Sequence, residues 1–278
     1  MTAEEKYREL LKHLKGLGKL AVAFSGGVDS TFLVHAAREA LGRKVLALTV
    51  NTDYIPDWEV SEAATWVKKA KIKHVVINVE TPESIRENPK DRCYFCKQQL
   101  FGILLAEAEK RGYRKLAEGT NKDDEGHYRP GMKAIDELGI LSPLREVGMT
   151  KGEIRELSKK FALPTWNKPA YACLLTRIPY DTQITREELQ RIEEGELFLF
   201  NAGFEGARLR SHGELARIEL QPGQFDRLQD QDLRNKVAEG IRKAGYRHVC
   251  VDLEWYRMGS FDGVYTEPSR STQDDKIN

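Results

Sequence analysis

The sequence predicts an α/β protein, with a helix-covered parallel sheet followed by a smaller α+β unit. Three observations predict it. From residue 1 to about 165, short apolar runs alternate with stretches of helical period. Strands separated by helices imply a parallel sheet covered on both faces. The stretch "PTWNKPAYACLLTRIPYDTQIT" (164–185) then breaks the rhythm with three prolines, and strand follows strand beyond it.

Each element has its own signal. "MTAEEKYRELLKHLKGLG" is an amphipathic, charged helix. "KLAVAFS" (19–25) reads as a buried strand, and "DSTFLVHAAREALG" as a helix closed by Gly42. "KVLALTVN" (44–51) is a second strand; the next helix, "PDWEVSEAATWVKKAKI", has Pro56 near its start, where a missing N–H costs nothing. "KHVVINVE" (73–80) is a third strand, "KQQLFGILLAEAEKRG" a helix and "RKLAEGT" (114–120) a fourth strand. "TKGEIRELSKKFAL" (150–163) is a helix with Thr150 and Glu153 in capping-box spacing. After the proline-rich stretch come a helix over 186–202, paired strands at "GARLRSHG" and "ELARIELQ", a helical region near 223–244 and a strand in "YRHVCVDLEWY". The expected division is 1–175, 176–265 and a polar, disordered tail over 266–278.

Composition narrows the function classes. With 40% hydrophobic and 31% charged residues, the 278-residue chain reads as an ordinary globular protein. No apolar run approaches the roughly 20 residues that span a bilayer. The N-terminus lacks the apolar segment of a signal peptide, so a cytoplasmic protein without membrane contact is expected. Lys and Arg total 44 against 43 Asp and Glu, which leaves no global field to attract nucleic acid. Four cysteines make no disulfide scaffold; in a reducing compartment they are structural, metal-binding or catalytic.

The strand–helix turn in "LAVAFSGGVDSTFLVHA" (20–36) is the first candidate site. A helix N-terminus carries unpaired N–H groups and partial positive charge, so a Gly/Ser-rich turn there suits phosphate. The standard loops fit badly, since one needs a lysine and the other a different glycine spacing. "SGGVDS" (25–30) resembles the PP-loop of ATP pyrophosphatases, which split ATP into AMP and pyrophosphate. That resemblance implies a fold like the adenine nucleotide alpha hydrolases. Ser25, Gly26, Gly27 and Ser30 would cradle the departing pyrophosphate, and Asp29 would help to hold Mg²⁺. Ala23 and Val50, at strand ends, are candidates for backbone contacts with adenine or ribose, and Gly119 in "EGTNKDD" would let the backbone approach the nucleotide.

Cysteine is the second signal. Cys93 and Cys96 stand in C-x-x-C spacing at a helix start, Cys173 lies in "KPAYACLLTRIPY", and Cys250 reads as a buried core residue of an apolar strand. Zinc is one reading, with His127, His212 or Cys250 completing the ligands. A redox disulfide is another, but it leaves Cys173 unexplained. A 4Fe-4S cluster on Cys93, Cys96 and Cys173 would leave one iron open to carry sulfide.

Together "SGGVDS", "RCYFCK", "EGTNKDD" with "YRPG", "SPL", "KPAYACLLTRIPY" and "RLRSHGELARIE" resemble the LarE family over nearly the whole chain. These are PP-loop sulfur transferases that build the nickel-pincer nucleotide cofactor of lactate racemase. The resemblance implies that ATP adenylylates the carboxylates of pyridinium-3,5-biscarboxylic acid mononucleotide, which become thiocarboxylates. One form of the family sacrifices the sulfur of a cysteine matching Cys173; the other has three cysteines and a cluster, and this sequence resembles the second. Arg208 and Arg210, two apart on one strand, would bind the substrate phosphate. Arg177 would orient the acyl-adenylate or form a core salt bridge. Glu196, Glu219 and Asp226 match acidic positions that could bind a divalent ion near a subunit interface. A homo-oligomer, with a hexamer as one option, is implied; the sulfide source is not. The alternative enzyme is a PP-loop tRNA thiolase, which calls for a basic RNA-binding module. A nucleotide- or cluster-binding sensor without turnover is the non-enzymatic alternative.

Overall fold

A computed structural model describes residues 1–125, 130–169 and 171–257. His127, part of "YRPG" and the tail over 266–278 lie outside them. In chain order the elements are α1 (Ala3–Leu17), β1 (Leu20–Ala23), α2 (Val28–Leu41), β2 (Val45–Asn51), α3 (Asp57–Lys69), β3 (Lys73–Asn78), α4 (Arg92–Lys110), β4 (Leu116–Ala117), α5 (Pro130–Glu137), α6 (Pro143–Glu146), α7 (Lys151–Lys160), α8 (Arg186–Asn201), β5 (Arg208–His212), β6 (Leu215–Glu219), α9 (Gln231–Lys243) and β7 (His248–Val251). Among the described residues no helix is long and apolar enough to cross a membrane.

The chain forms two compact units, Met1–Leu175 with Asp181–Glu193, and Thr176–Tyr180 with the chain from Glu194 onward. In the first, a parallel sheet has the order β3-β2-β1-β4. Strand alternation supplies both of its faces. Leu20, Val22, Val45 and Ala47 join one core with Leu10 and Leu14 of α1 and Phe32 of α2. Ala21, Leu46, Leu48 and Val50 join the other with Leu104 of α4 and Ile135 of α5. The two cores explain why β1 and most of β2 are apolar.

The fourth strand is shorter than expected, only Leu116–Ala117. Directly after it the buried Glu118 carboxylate accepts from Thr120 N (3.0 Å), Thr120 Oγ1 (2.7 Å) and Ser142 Oγ (2.6 Å). These bonds curl the chain into a turn and end the strand. α4 begins at Arg92 and carries both Cys93 and Cys96 in its first turns, as their placement at a helix start anticipated. α5 and α6 were not expected; each opens on a proline, a residue tolerated at the first helical position.

In the second unit, β5 and β6 form an antiparallel pair and β7 adds parallel to β6. The expected helical region over 223–244 divides into a short 3₁₀ turn, Phe225–Gln229, and α9, whose N-cap Asp230 accepts from Leu233 N at 2.9 Å. Cys250 corrects the sequence reading. It is exposed, because β7 is an edge strand and Cys250 alternates outward, between the half-buried Val249 and Val251.

Candidate active site

Strand order locates the site. β2 and β3 extend the sheet on one side of β1 and β4 lies on the other, so the direction of winding reverses between β1 and β4. Ligands of open α/β sheets bind beyond the carboxyl ends of the strands at such a switch point. The segments leaving β1 and β4 there are "SGGVDS" and "EGTNKDD".

The first turn is built by its neighbours. Phe24 N donates to Leu48 O at 2.8 Å, and Thr49 Oγ1 donates to Phe24 O at 2.6 Å. His74 Nε2 lies 2.8 Å from Thr49 Oγ1. Because the threonine proton is used on Phe24, His74 is the donor there, which assigns its Nε2–H tautomer. Gly26 takes φ +73°, and a Cβ on it would stand 2.8 Å from Ala63 Cβ of α3, so only glycine fits. Gly27 is the N-cap of α2 and makes no side-chain cap, so the first N–H groups of α2 are left for another acceptor. The buried Ser30 hydroxyl lies 3.1 Å from the Ser25 hydroxyl. Ala23 and Val50 end or nearly end their strands beside the turn.

Asp29, in the first turn of α2, has both carboxylate oxygens engaged. Asn121 Nδ2 donates to Oδ1 at 3.3 Å, and Lys151 Nζ forms an ion pair with Oδ2. The cation that the turn lacks in sequence therefore arrives from the start of α7. Thr150, the N-cap of α7, accepts from Glu153 N at 3.3 Å, and Lys151 N donates to Asp123 Oδ2 at 2.8 Å. A second ammonium, Lys168 Nζ, lies 3.5 Å from Gly26 O and 3.0 Å from Glu62 Oε2. Sequence reasoning missed both lysines; a charged residue far along the chain carries no local mark of what it will meet. Gly119 packs tightly against the first turn. A Cβ there would stand 3.0 Å from Ser30 N and 3.1 Å from Asp29 Cβ, so its missing side chain lets this turn pack directly on the N-terminus of α2.

The three candidate cysteines belong to the same unit. Cys96 is half-buried, with its Sγ 3.2 Å from the hydroxyl of the buried Tyr54. Tyr54 O accepts from Leu174 N at 2.9 Å, which fastens the segment after Cys173 to Tyr54. Burial, opposed by the Tyr54 hydrogen bond and aided by repulsion from Cys173 and Cys93, pushes the Cys96 thiol up to about 11. Burial likewise raises Tyr54 above its ordinary value, with Cys96 and Cys173 contributing. Among the described residues no three His, Cys, Asp or Glu side chains are grouped to hold a single metal ion.

In the second unit Arg177 is 1% exposed and grips Glu196 with two bonds, Nε to Oε1 at 2.8 Å and Nη2 to Oε2 at 2.9 Å. This is the core salt bridge of the two readings of Arg177. Burial opposes ionisation of Glu196, but Arg177 and then Arg208 outweigh it and hold the carboxyl below its usual range. Arg210 Nη2 donates to the buried Glu219 at 2.6 Å. Arg208 and Arg210 share the ring of Tyr256, at 5.2 and 5.9 Å. Asp226 sits on the exposed 3₁₀ turn. Glu196, Glu219 and Asp226 are thus not gathered as a divalent site within one chain, because arginines engage the two glutamates.

Comparison with known proteins agrees with this geometry. The asparagine synthase family matches residues 7–102. An uncharacterised protein of Synechocystis is 36% identical, covering 95% of this chain and 99% of its own. The pyridinium-3,5-bisthiocarboxylic acid mononucleotide synthase of Lactiplantibacillus plantarum is 32% identical, covering 98% and 99%. An uncharacterised protein of Methanocaldococcus jannaschii is 33% identical, covering 86% and 91%. With the β1–α2 turn, its switch-point position and full-length similarity to a synthase of this kind, the chain belongs to the LarE family of PP-loop, ATP-dependent sulfur transferases.

Proposed function

We propose that the chain adenylylates the carboxylates of pyridinium-3,5-biscarboxylic acid mononucleotide and converts them to thiocarboxylates. The observation that carries this reading is the presence, in one compact unit, of a nucleotide turn and of Cys96, a half-buried thiol close enough to both Cys173 and Cys93 to feel their charge. A substrate carboxylate oxygen attacks the α-phosphorus of ATP, the α–β bridging bond breaks, and pyrophosphate leaves. The free N–H groups of α2 and the Lys151 ammonium receive the charge that develops on it. Asp29, partly exposed beside the turn, suits a hard divalent cation, and Mg²⁺ there would neutralise phosphate charge. Sulfur then attacks the activated carbonyl, the C–O bond to AMP breaks, and a thiocarboxylate remains.

Three thiols make a soft donor set, suited to iron–sulfur more than to Mg²⁺. Cys93, Cys96 and Cys173 would hold a 4Fe-4S cluster, which supplies sulfide when bound. In the sacrificial mode the Cys173 thiolate displaces AMP to form a thioester, and loss of its Cα proton then breaks the Cβ–Sγ bond, which leaves the sulfur on the substrate and dehydroalanine in the chain. Arg208 and Arg210, sharing one face, are assigned to the substrate phosphate. A homo-oligomer is supported by Leu197 and Phe200 of α8, which expose their large apolar side chains.

The test supplies the pyridinium dicarboxylate nucleotide, ATP, Mg²⁺ and a sulfide donor, and follows pyrophosphate and thioacid. Cys173→Ala is expected to release pyrophosphate without forming thioacid. Anaerobic iron and acid-labile sulfide assays separate the two sulfur modes, with loss of H₂S from Cys173 marking the sacrificial one. Pyrophosphate release with tRNA instead of the pyridinium nucleotide would overturn the substrate assignment.

A further inference from the structure

Trp58, in the first turn of α3, is half-buried and stands edge-to-face with Tyr171, ring centroids 5.1 Å apart at 82°. The Lys168 ammonium lies over the Trp58 ring, 5.1 Å from its centroid. Each partner ties this aromatic pair to one half of the chemistry. Lys168 also reaches Gly26 O, and Ala63, further along α3, packs against Gly26. Tyr171 precedes Cys173 by two residues. The pair is therefore tethered to the nucleotide turn on one side and to the thiol segment on the other.

An indole face is the best of the aromatic faces at attracting cations, and this one already holds the Lys168 ammonium. We propose that Trp58, flanked by Tyr171, is the platform that receives the cationic pyridinium ring of the substrate. The assignment rests on the function proposed above. A ring cation entering this face leaves Lys168 its carboxylate partner, Glu62, 3.0 Å away. The interaction selects charge as well as shape, because an uncharged ring of the same size lacks the electrostatic attraction to the indole.

Oxidised and reduced nicotinamide mononucleotide isolate this difference. Both carry the same ribose and phosphate, and only the oxidised ring is cationic. Titration calorimetry on the full chain should find the oxidised form bound at least about fivefold more tightly than the reduced one. Trp58→Leu should abolish the preference while leaving ATP affinity and thermal unfolding unchanged. Trp58→Phe, which keeps a weaker aromatic face and packs conservatively, should give an intermediate preference. Equal binding of the two forms by the wild-type chain, or a preference that survives in Trp58→Leu, would overturn the assignment. The failures are distinguishable. If the wild-type chain turns over the dicarboxylate nucleotide and Trp58→Leu does so with unchanged KM, this inference falls and the proposed function stands. If the wild-type chain releases no pyrophosphate with that nucleotide, the proposed function falls.

Discussion

Gly26 and Gly27 are adjacent glycines with different physical duties. Gly26 needs its absent side chain for the fold, since its φ is +73° and a Cβ would collide with Ala63. Gly26→Ala should cost about 1–2 kcal/mol for the backbone conformation alone, and more for displacing α3; urea unfolding measures it. Gly27 has φ −78°, and a Cβ there would meet nothing nearer than Ser25 Oγ at 3.4 Å. Gly27→Ala should therefore unfold like wild type and bind ATP more weakly, a split that calorimetry and urea melts together reveal. His74 adds a pH dependence. Burial holds its imidazole below the ordinary value, so the unfolded chain binds a proton more readily than the folded one. Its stabilising contribution is present above the unfolded value of about 6.5 and is lost as pH falls through the folded value. The urea midpoint should fall on acidification below about 6.5, and His74→Gln should flatten that slope.

At the scale of elements, what was legible followed from periodicity. β1, β2 and their helices were readable because the two cores make nearly every position of these strands apolar. The capping box of α7 was readable because it is a local pattern, and it is present as expected. Thr150→Ala should cost about 1 kcal/mol; it should also loosen Lys151 next to it, seen as weaker pyrophosphate binding. β4 was overestimated because its end is set by the Glu118 bonds, one of which comes from Ser142, outside any local window. The arginine–glutamate pairs of the second unit were not legible for the same reason. Arg177 and Glu196 are 19 residues apart, and nothing in either segment marks the other. Cys250 was misread because an apolar neighbourhood does not reveal which face of an edge strand a residue takes.

Across the whole molecule, the chain interleaves its two units. After Leu175 it gives Thr176–Tyr180 to the second unit and returns Asp181–Glu193 to the first. The returning segment is bonded there, Ile184 N to Arg86 O at 2.7 Å and Asp181 N to Asn88 O at 3.2 Å. It also buries Leu189 and Ile192. Burial of one such side chain contributes about 1.5–3 kcal/mol. A chain ended at Glu193 should therefore unfold at a higher urea midpoint than one ended at Leu175, and equal midpoints would refute that contribution. The Lys151–Asp29 pair has a consequence for synthesis. Its partners are 122 residues apart, and the acidic one is made first. While the polypeptide is still emerging, the Asp29 carboxylate exists before the ammonium that pairs with it, so this contact of the glycine turn can close only after α7 is made.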